Sequence, residues 1–172
     1  EQGWGRRDET WTFMRALEEL GGETWFRLGD GDLALHVERT RRLAAGETLS
    51  AIMDDVRRRL GIASRLLPMS DDTVATRVHT QDAELPFQDY FVRLRATPEV
   101  RAIEFAGAST SRTSAALAEV VGSSRLRAIV VCPSNPYLSI DPILAVRGPA
   151  AALRAPGVPV VAVTPLIRGR AV

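Results

Sequence analysis

Lysine is absent from this chain. All 22 basic residues among its 172 positions are arginine, set against 21 acids, so the formal charge is only +1. Near-balance of this kind leaves no broad positive field for sequence-independent nucleic-acid binding. Cysteine occurs once and histidine twice, which excludes an intrachain disulfide and gives a histidine-based metal site or hydrolase triad little to build on. Cys132, in the apolar run Ala128-Ile-Val-Val-Cys132, is expected to be a small buried core residue in a reducing compartment. No apolar run approaches the roughly 20 residues of a membrane span, and no basic-then-apolar start resembles a secretory signal. The expectation is a soluble, cytoplasmic protein.

What is present fits a globular chain: 45% hydrophobic and 25% charged. A chain of this size can bury roughly 70% of its extended surface and needs no covalent staple. Arginine adds a chemical possibility, because its planar fork grips phosphate or carboxylate through two parallel hydrogen bonds. The chain starts without Met and stops just after an apparent strand, so it reads as an internal piece of a longer polypeptide.

Three helices open the sequence. Asp8 is the expected cap of the first, with Trp11, Met14, Leu17 and Leu20 on one face and Gly21-Gly22 at its end. Asp32 caps a second, with Leu33, His36, Val37, Thr40 and Leu43 along one side and Gly46 closing it. Thr48 opens a third through Leu49, Ile52, Met53, Val56 and Leu60 to Gly61, with Arg57, Arg58 and Arg59 as a solvated face. Arg65 to Pro68 and Val74 to Thr80 read as strands. Phe87, Tyr90, Phe91 and Leu94 have helical spacing and read as core packing. Val100 to Phe105 alternates like a strand, and Ser114 to Val121 reads as a helix.

Arg127 to Cys132 and Val158 to Val163 are continuous apolar runs of the type buried on both faces of a parallel sheet. The helical stretch Gly148 to Ala155 lies between them, giving a strand-loop-helix-strand unit. The expected fold is therefore α/β: a Rossmann-like parallel sheet core with an inserted helical block, residues 1–63 forming the block and 64–172 the Rossmann-like half of a single domain. Ligands of such sheets sit beyond the carboxyl ends of the strands. Pro133-Ser-Asn-Pro136 and Thr164-Pro-Leu-Ile-Arg-Gly169 occupy that place.

In the first of these loops, prolines stiffen the backbone while Ser134, Asn135 and Ser139 offer short hydrogen-bonding groups. This composition suits a nucleotide or phosphate rim and equally a plain rigid turn. Gly29-Asp-Gly-Asp32 places two carboxylates at a helix start: Asp30 is either a turn former or a group facing a ligand hydroxyl or metal. Asp71-Asp72 favours a turn, and is a magnesium candidate only if both carboxylates share an opening. His36 reads as a satisfied core histidine, and His79 as part of a polar strand or turn.

Gly3-Trp-Gly-Arg-Arg-Asp-Glu-Thr-Trp11, Trp25-Phe-Arg-Leu-Gly-Asp-Gly-Asp-Leu-Ala-Leu-His36, Leu67-Pro-Met-Ser-Asp-Asp72 and Pro133-Ser-Asn-Pro-Tyr-Leu-Ser-Ile140, with Pro142-Ile-Leu-Ala-Val146 after it, occur in that order. Together they resemble the 2-phospho-L-lactate and phosphoenolpyruvate transferases of coenzyme F-420 biosynthesis, along the whole chain. Members of that family are longer, opening with a strand, a Gly-rich loop and an acidic motif that this sequence does not contain.

The resemblance implies a magnesium-dependent transfer of a phosphorylated three-carbon acid. The donor would be a guanosine diphosphate ester and the acceptor the deazaflavin 7,8-didemethyl-8-hydroxy-5-deazariboflavin, whose terminal ribityl hydroxyl displaces GMP. It places Arg7 against the deazaflavin and Ser134 and Asn135 on the nucleotide side; Pro136 and Ser139 of the same loop are expected to bind substrate as well, and Asp30 and Asp71 are the candidate catalytic carboxylates. Metal ligands stay unassigned, and a homodimer is expected. Leu35 stands where the family often has Thr, Gly31 where a larger residue is common, and Arg168 where Gly is usual, which bears on donor specificity. The rival expectation is a non-catalytic nucleotide-sugar-binding regulator with a related core; its loop would be Gly-rich rather than Pro133-Ser-Asn-Pro136. A third is a structural interaction domain without deazaflavin binding.

Overall fold

Each of the three opening helices is bounded by a glycine in the left-handed region, where a residue with a Cβ is strained: Gly21 comes after α1 (Thr12–Glu19), Gly46 after α2 (Asp30–Ala44) and Gly61 after α3 (Leu49–Arg59). The structure, a computed structural model, describes residues 8–154, 157–167 and 170–171. Thr48 caps α3 as expected, its hydroxyl accepting from Ala51 N. The other two starts differ from expectation. Asp8 has φ 59° and does not cap; the N-cap of α1 is Trp11, and that of α2 is Gly29, so Asp32 lies inside the first turn. Short polar side chains also cap helices from elsewhere in the chain, which local spacing cannot show.

Strands come next in the chain. β1 (Ala75–Thr80), β2 (Glu84–Pro86) and β3 (Val100–Ala106) form an antiparallel sheet in the order β2-β1-β3. Val78, paired with Leu85 and Ile103, is its fully buried centre. The aromatic stretch between β2 and β3 forms a π-helical turn, Asp89–Arg93, with Tyr90 buried and Phe87 stacked on Phe91 at 5.3 Å. α4 (Ala115–Val121) is capped by Ser114.

β4 (Ile129–Val131) and β5 (Val160–Ala162) pair in parallel, with the π-helical turn Pro136–Ile140, α5 (Asp141–Ala145) and α6 (Pro149–Leu153) between them. The expected strand-loop-helix-strand unit is present. A short antiparallel pair, β6 (Leu166–Ile167) with β7 (Arg170–Ala171), closes the described chain. The fold is thus mixed α/β, and among the described residues parallel pairing of strands is confined to β4 and β5.

Two local expectations need correction. Arg65 to Pro68 is not a strand; its end is pinned instead by Ser114, whose hydroxyl donates to Pro68 O at 2.7 Å and whose N–H donates to Met69 O at 3.1 Å. The apolar runs are not covered on both faces: Val130 and Val161 are 59% and 53% exposed, and Cys132, one residue beyond β4, is exposed rather than buried.

The buried polar residues show what joins the parts. Ser70, Ser111 and Ser114 are all buried. Ser70 Oγ donates to Arg112 O at 2.6 Å, and Arg112 N–H donates to Asp72 at 2.9 Å. Asp71 accepts from the N–H and hydroxyl of Ser50 at 2.7 and 2.9 Å, in the first turn of α3. The turn Pro68–Asp72 therefore ties α3, the strand β1 beyond it, and the segment leading into α4. Removing the Ser70 hydroxyl would leave the Arg112 carbonyl and the Asp72 N–H without that partner in a part-buried setting. Ser70→Ala is expected to destabilise the protein by about 1–3 kcal/mol in urea unfolding; an unchanged midpoint and slope would show that this tie carries no stability.

Candidate functional site

Parallel pairing decides where the candidate loops lie. With Ile129 opposite Val160, Val130 opposite Val161 and Val131 opposite Ala162, both strands point the same way, and the segments after them leave at the same edge. That edge is where ligands of parallel sheets are held. Val163 N–H donates to Val131 O at 2.9 Å, continuing the pairing to the point of departure.

After β4, Pro133 stops the ladder and Asn135 organises the next turn. Its Oδ1 accepts from Tyr137 N at 3.0 Å and Leu138 N at 3.1 Å, while its main-chain carbonyl accepts from Ser139 N at 2.9 Å and Ile140 N at 3.3 Å. Pro136 takes the first helical position, where a missing N–H costs nothing. The result is a π-helical turn, a form that recurs at functional sites because the wider backbone loop re-aims side chains. The Asn135 side-chain oxygen is fully used within the loop. Its amide N–H groups remain as donors, at an exposed position.

Ser134 and Ser139 line one cavity of about 470 Å³, together with Val131 from β4, Leu117 from α4, Ile143 from α5 and Leu153 from α6. This size lies within the range of small-molecule sites, and apolar walls with a few convergent hydroxyls are their usual make-up. Asn135 and Pro136 shape the loop beside the cavity and are not among its lining residues. Sequence reasoning misses the walls from α4 and α6; the spacing of Leu117 and Val121, four apart on one helix, is the available signal.

The carboxylates lie elsewhere. Asp30 accepts from the Thr10 hydroxyl at 2.6 Å and from the N–H groups of Thr12 and Phe13 at 3.1 Å each, so a residue of α2 satisfies the start of α1. Glu9 reciprocates across the same junction, accepting from Gly31 N at 2.8 Å. Gly29 is buried against Glu9, and any Cβ there would fall 1.9 Å from Glu9 Cγ. The Thr10 hydroxyl first, then the Phe13 and Thr12 N–H groups and the Arg15 charge, hold the Asp30 carboxyl below the usual aspartate range, against an opposing effect of burial smaller than that of Thr10. Asp71 is engaged with Ser50 at the start of α3. Neither Asp30 nor Asp71 lines the Ser134–Ser139 cavity, and among the described residues no group of three or more His, Cys, Asp or Glu could hold a metal ion. Arg7 and Arg168 lie outside the described residues.

The two histidines are engaged locally. His36 Nδ1 meets Arg39 at 2.8 Å within α2, and His79 Nε2 faces Glu104 at 3.1 Å across β1 and β3.

The chain has clear relatives among known proteins. Residues 8–171 match the model of the family described as 2-phospho-L-lactate transferase CofD. The phosphoenolpyruvate transferase of Streptomyces griseus subsp. griseus is 45% identical, with 97% of this chain and 54% of that protein aligned. That of Kitasatospora aureofaciens is 42% identical over 98% of this chain and 54% of its own. That of Mycobacterium tuberculosis is 41% identical over 97% and 52%. The chain spans about half the length of the curated relatives it matches.

The Asp30 junction yields a pH prediction. A carboxyl whose folded-state pKa is depressed adds stability above its unfolded pKa of about 3.9, and that stability is lost as pH falls through the folded value. Asp30→Asn should therefore lower the urea midpoint at neutral pH. The gap between wild type and variant should close below about pH 4. A gap that does not change with pH would show that the Asp30 charge does not support the start of α1.

Proposed function

The chain belongs to the 2-phospho-L-lactate transferase family, and from that premise we propose that it forms part of an enzyme transferring a phosphorylated three-carbon acid to a deazaflavin in coenzyme F-420 biosynthesis. The observation that carries this reading is the position of Pro133–Ile140: a rigid, hydroxyl-bearing loop at the carboxyl edge of a parallel pair, inside a chain aligned along nearly its whole length with phosphoenolpyruvate transferases. The full reading takes the core as Rossmann-like, with residues 1–63 as a helical block inserted in it. It also takes the enzyme as a cytoplasmic homodimer.

In the proposed reaction the terminal ribityl hydroxyl of 7,8-didemethyl-8-hydroxy-5-deazariboflavin attacks the distal phosphorus of a guanosine diphosphate ester of lactate, enolpyruvate or a similar acid. A phosphorus–oxygen bond forms to the ribityl oxygen, the bond to the bridging oxygen breaks, and GMP leaves. The hydroxyl proton passes to a base. There is little covalent work for the protein to do, so rate comes from positioning and from donors aimed at the phosphoryl oxygens. In the proposal Ser134 and Ser139, which line one cavity, offer hydroxyls, and Asn135 offers its amide N–H groups from the loop beside it. Arg7 is assigned to the deazaflavin.

Magnesium belongs to this proposal as the ion that would neutralise the diphosphate. The described residues do not form a cage for it: Asp30 and Asp71 already serve the starts of two different helices, so none of its ligands is assigned to them. Their catalytic role in the proposal is correspondingly indirect, through the placement of α1 and α3.

The test is to incubate the purified full-length enzyme with the deazaflavin, magnesium and each candidate donor, and to identify the product by mass spectrometry. Coupled GMP release and deazaflavin modification is expected; donor binding without turnover would favour the regulatory alternative. Asn135→Asp separates loop-building from ligand contact, since aspartate caps as well as asparagine but replaces donors with a charge that repels a diphosphate. The expected outcome is an unchanged unfolding midpoint with kcat/KM for the donor lowered about ten- to a hundredfold. Unaltered kinetics would remove Asn135 from the site.

A further inference from the structure

A second cavity, of about 540 Å³, lies on the other side of the wall formed by Val121 and Ala152, which line both cavities. Its remaining lining includes Arg112, Thr113, Arg147 and Gly148, and no described carboxylate. Arg112 and Arg147 are brought together by the main chain: they form a parallel β-bridge, Arg147 O accepts from both the N–H and the hydroxyl of Thr113 at 3.0 and 2.7 Å, and Arg147 N–H reaches Ser111 O at 3.4 Å. Gly148 packs so closely on Thr113, at φ 123°, that a Cβ would come within 2.2 Å of its hydroxyl.

The bridge sets the two residues side by side, both exposed and both lining this cavity. Several arginines elsewhere in the chain have acidic partners: Arg41 with Glu38, Arg42 with Glu47 and Asp55, Arg57 with Asp54, Arg59 with Asp55. The guanidiniums of Arg112 and Arg147 have none among the described residues. The Arg112 hydrogen bonds among those residues run through its main chain alone. Arg147 uses only Nε, donating to Ser109 O at 2.8 Å, which leaves its two terminal amino groups able to donate.

We propose that this cavity binds a small-molecule oxyanion, a phosphate or carboxylate carried on an apolar body. The oxyanion would be gripped by the guanidinium groups of Arg112 and Arg147, with the apolar part against Val121 and Ala152. The charge is what two unpaired forks recognise, and the volume falls within that of small-ligand sites rather than of a macromolecular interface. The proposal does not depend on the transferase reading, because its measure is binding and not turnover.

The probe is phenyl phosphate, with phenol as the uncharged control, titrated calorimetrically into the purified protein. Saturable binding of phenyl phosphate is expected, with phenol bound at least roughly tenfold more weakly. Arg112→Gln and Arg147→Gln should each weaken phenyl phosphate about ten- to a hundredfold, whereas Arg125→Gln, an exposed arginine outside the cavity, should leave it unchanged. Should Arg147→Gln unfold through loss of the Ser109 contact, Arg112→Gln decides, since no described residue depends on its side chain. Absence of saturation, unweakened binding in Arg112→Gln, or equal weakening in Arg125→Gln would overturn the proposal.

Discussion

The Pro68–Asp72 turn is the constraint on which the arrangement depends. In five residues it offers two carbonyls to Ser114, a hydroxyl to Arg112 O, one carboxylate to Ser50 and another to Arg112 N–H. Each contact is ordinary in strength. Their arrangement matters more, because the partners belong to the helical block on one side and to the approach to α4 on the other. α4 in turn walls the cavity lined by β4 and the loop that follows it. A turn that binds both neighbours through main-chain groups fixes their separation more closely than apolar contact would, since hydrogen bonds are directional.

The acidic motifs acquire a physical meaning in this light. Asp30, Glu9 and Asp71 each meet N–H groups at the beginning of a helix other than their own local segment. A helix start leaves four N–H groups without internal partners and carries a partial positive charge, so a carboxylate from a neighbour satisfies it on both counts. The exchange between α1 and α2 is reciprocal, which sets their relative position with few apolar contacts. That is consistent with a helix α2 that buries no side chain. The same acids are those that sequence alone nominates for catalysis. Clustering of short acidic and glycine residues marks both sharp helix entries and ligand sites, and one-dimensional spacing does not separate the two.

Sequence is legible where the determinant is local. The Thr48 and Ser114 caps, the glycine helix ends and the strand-loop-helix-strand order of residues 127–163 arise from short-range propensities and appear in the structure. The failures share one cause. Position alone makes Asp8 and Asp32 look like caps, but the carboxylates that serve the starts of α1 and α2 are 18 and 22 residues away in sequence from the N–H groups they meet. Apolar content makes Arg65–Pro68 look like a strand, whereas its end is held by Ser114 and not by a neighbouring strand. Of the candidate site, the loop after β4 is legible as a rigid turn, because prolines and short polar residues at a strand end stop the ladder and bond their own backbone; its composition does not separate a ligand rim from a plain turn. The α4 and α6 walls are harder to read: on α4 the four-residue spacing of Leu117 and Val121 is the only mark of the lining face, and the alanines of α6 carry none.

The use of arginine at every basic position bears on this economy of contacts. An ammonium is a single point of charge, whereas a guanidinium can serve two acceptors in a fixed plane. Arg41 meets Glu38 through two parallel bonds of 2.9 Å, and Arg42 bridges Glu47 and Asp55, joining the end of α2 to α3. Arg27 and Arg93 lie 5.6 Å from the rings of Trp11 and Trp25, using the flat face that lysine lacks. Exposed pairs of this sort contribute little each; Arg42 is different because its side chain is only 14% exposed and both its acids are held. Arg112 and Arg147 have no described acid paired with them, which is equally true of Arg95, Arg125 and Arg127; what distinguishes the two is that the main-chain bridge sets both on one cavity.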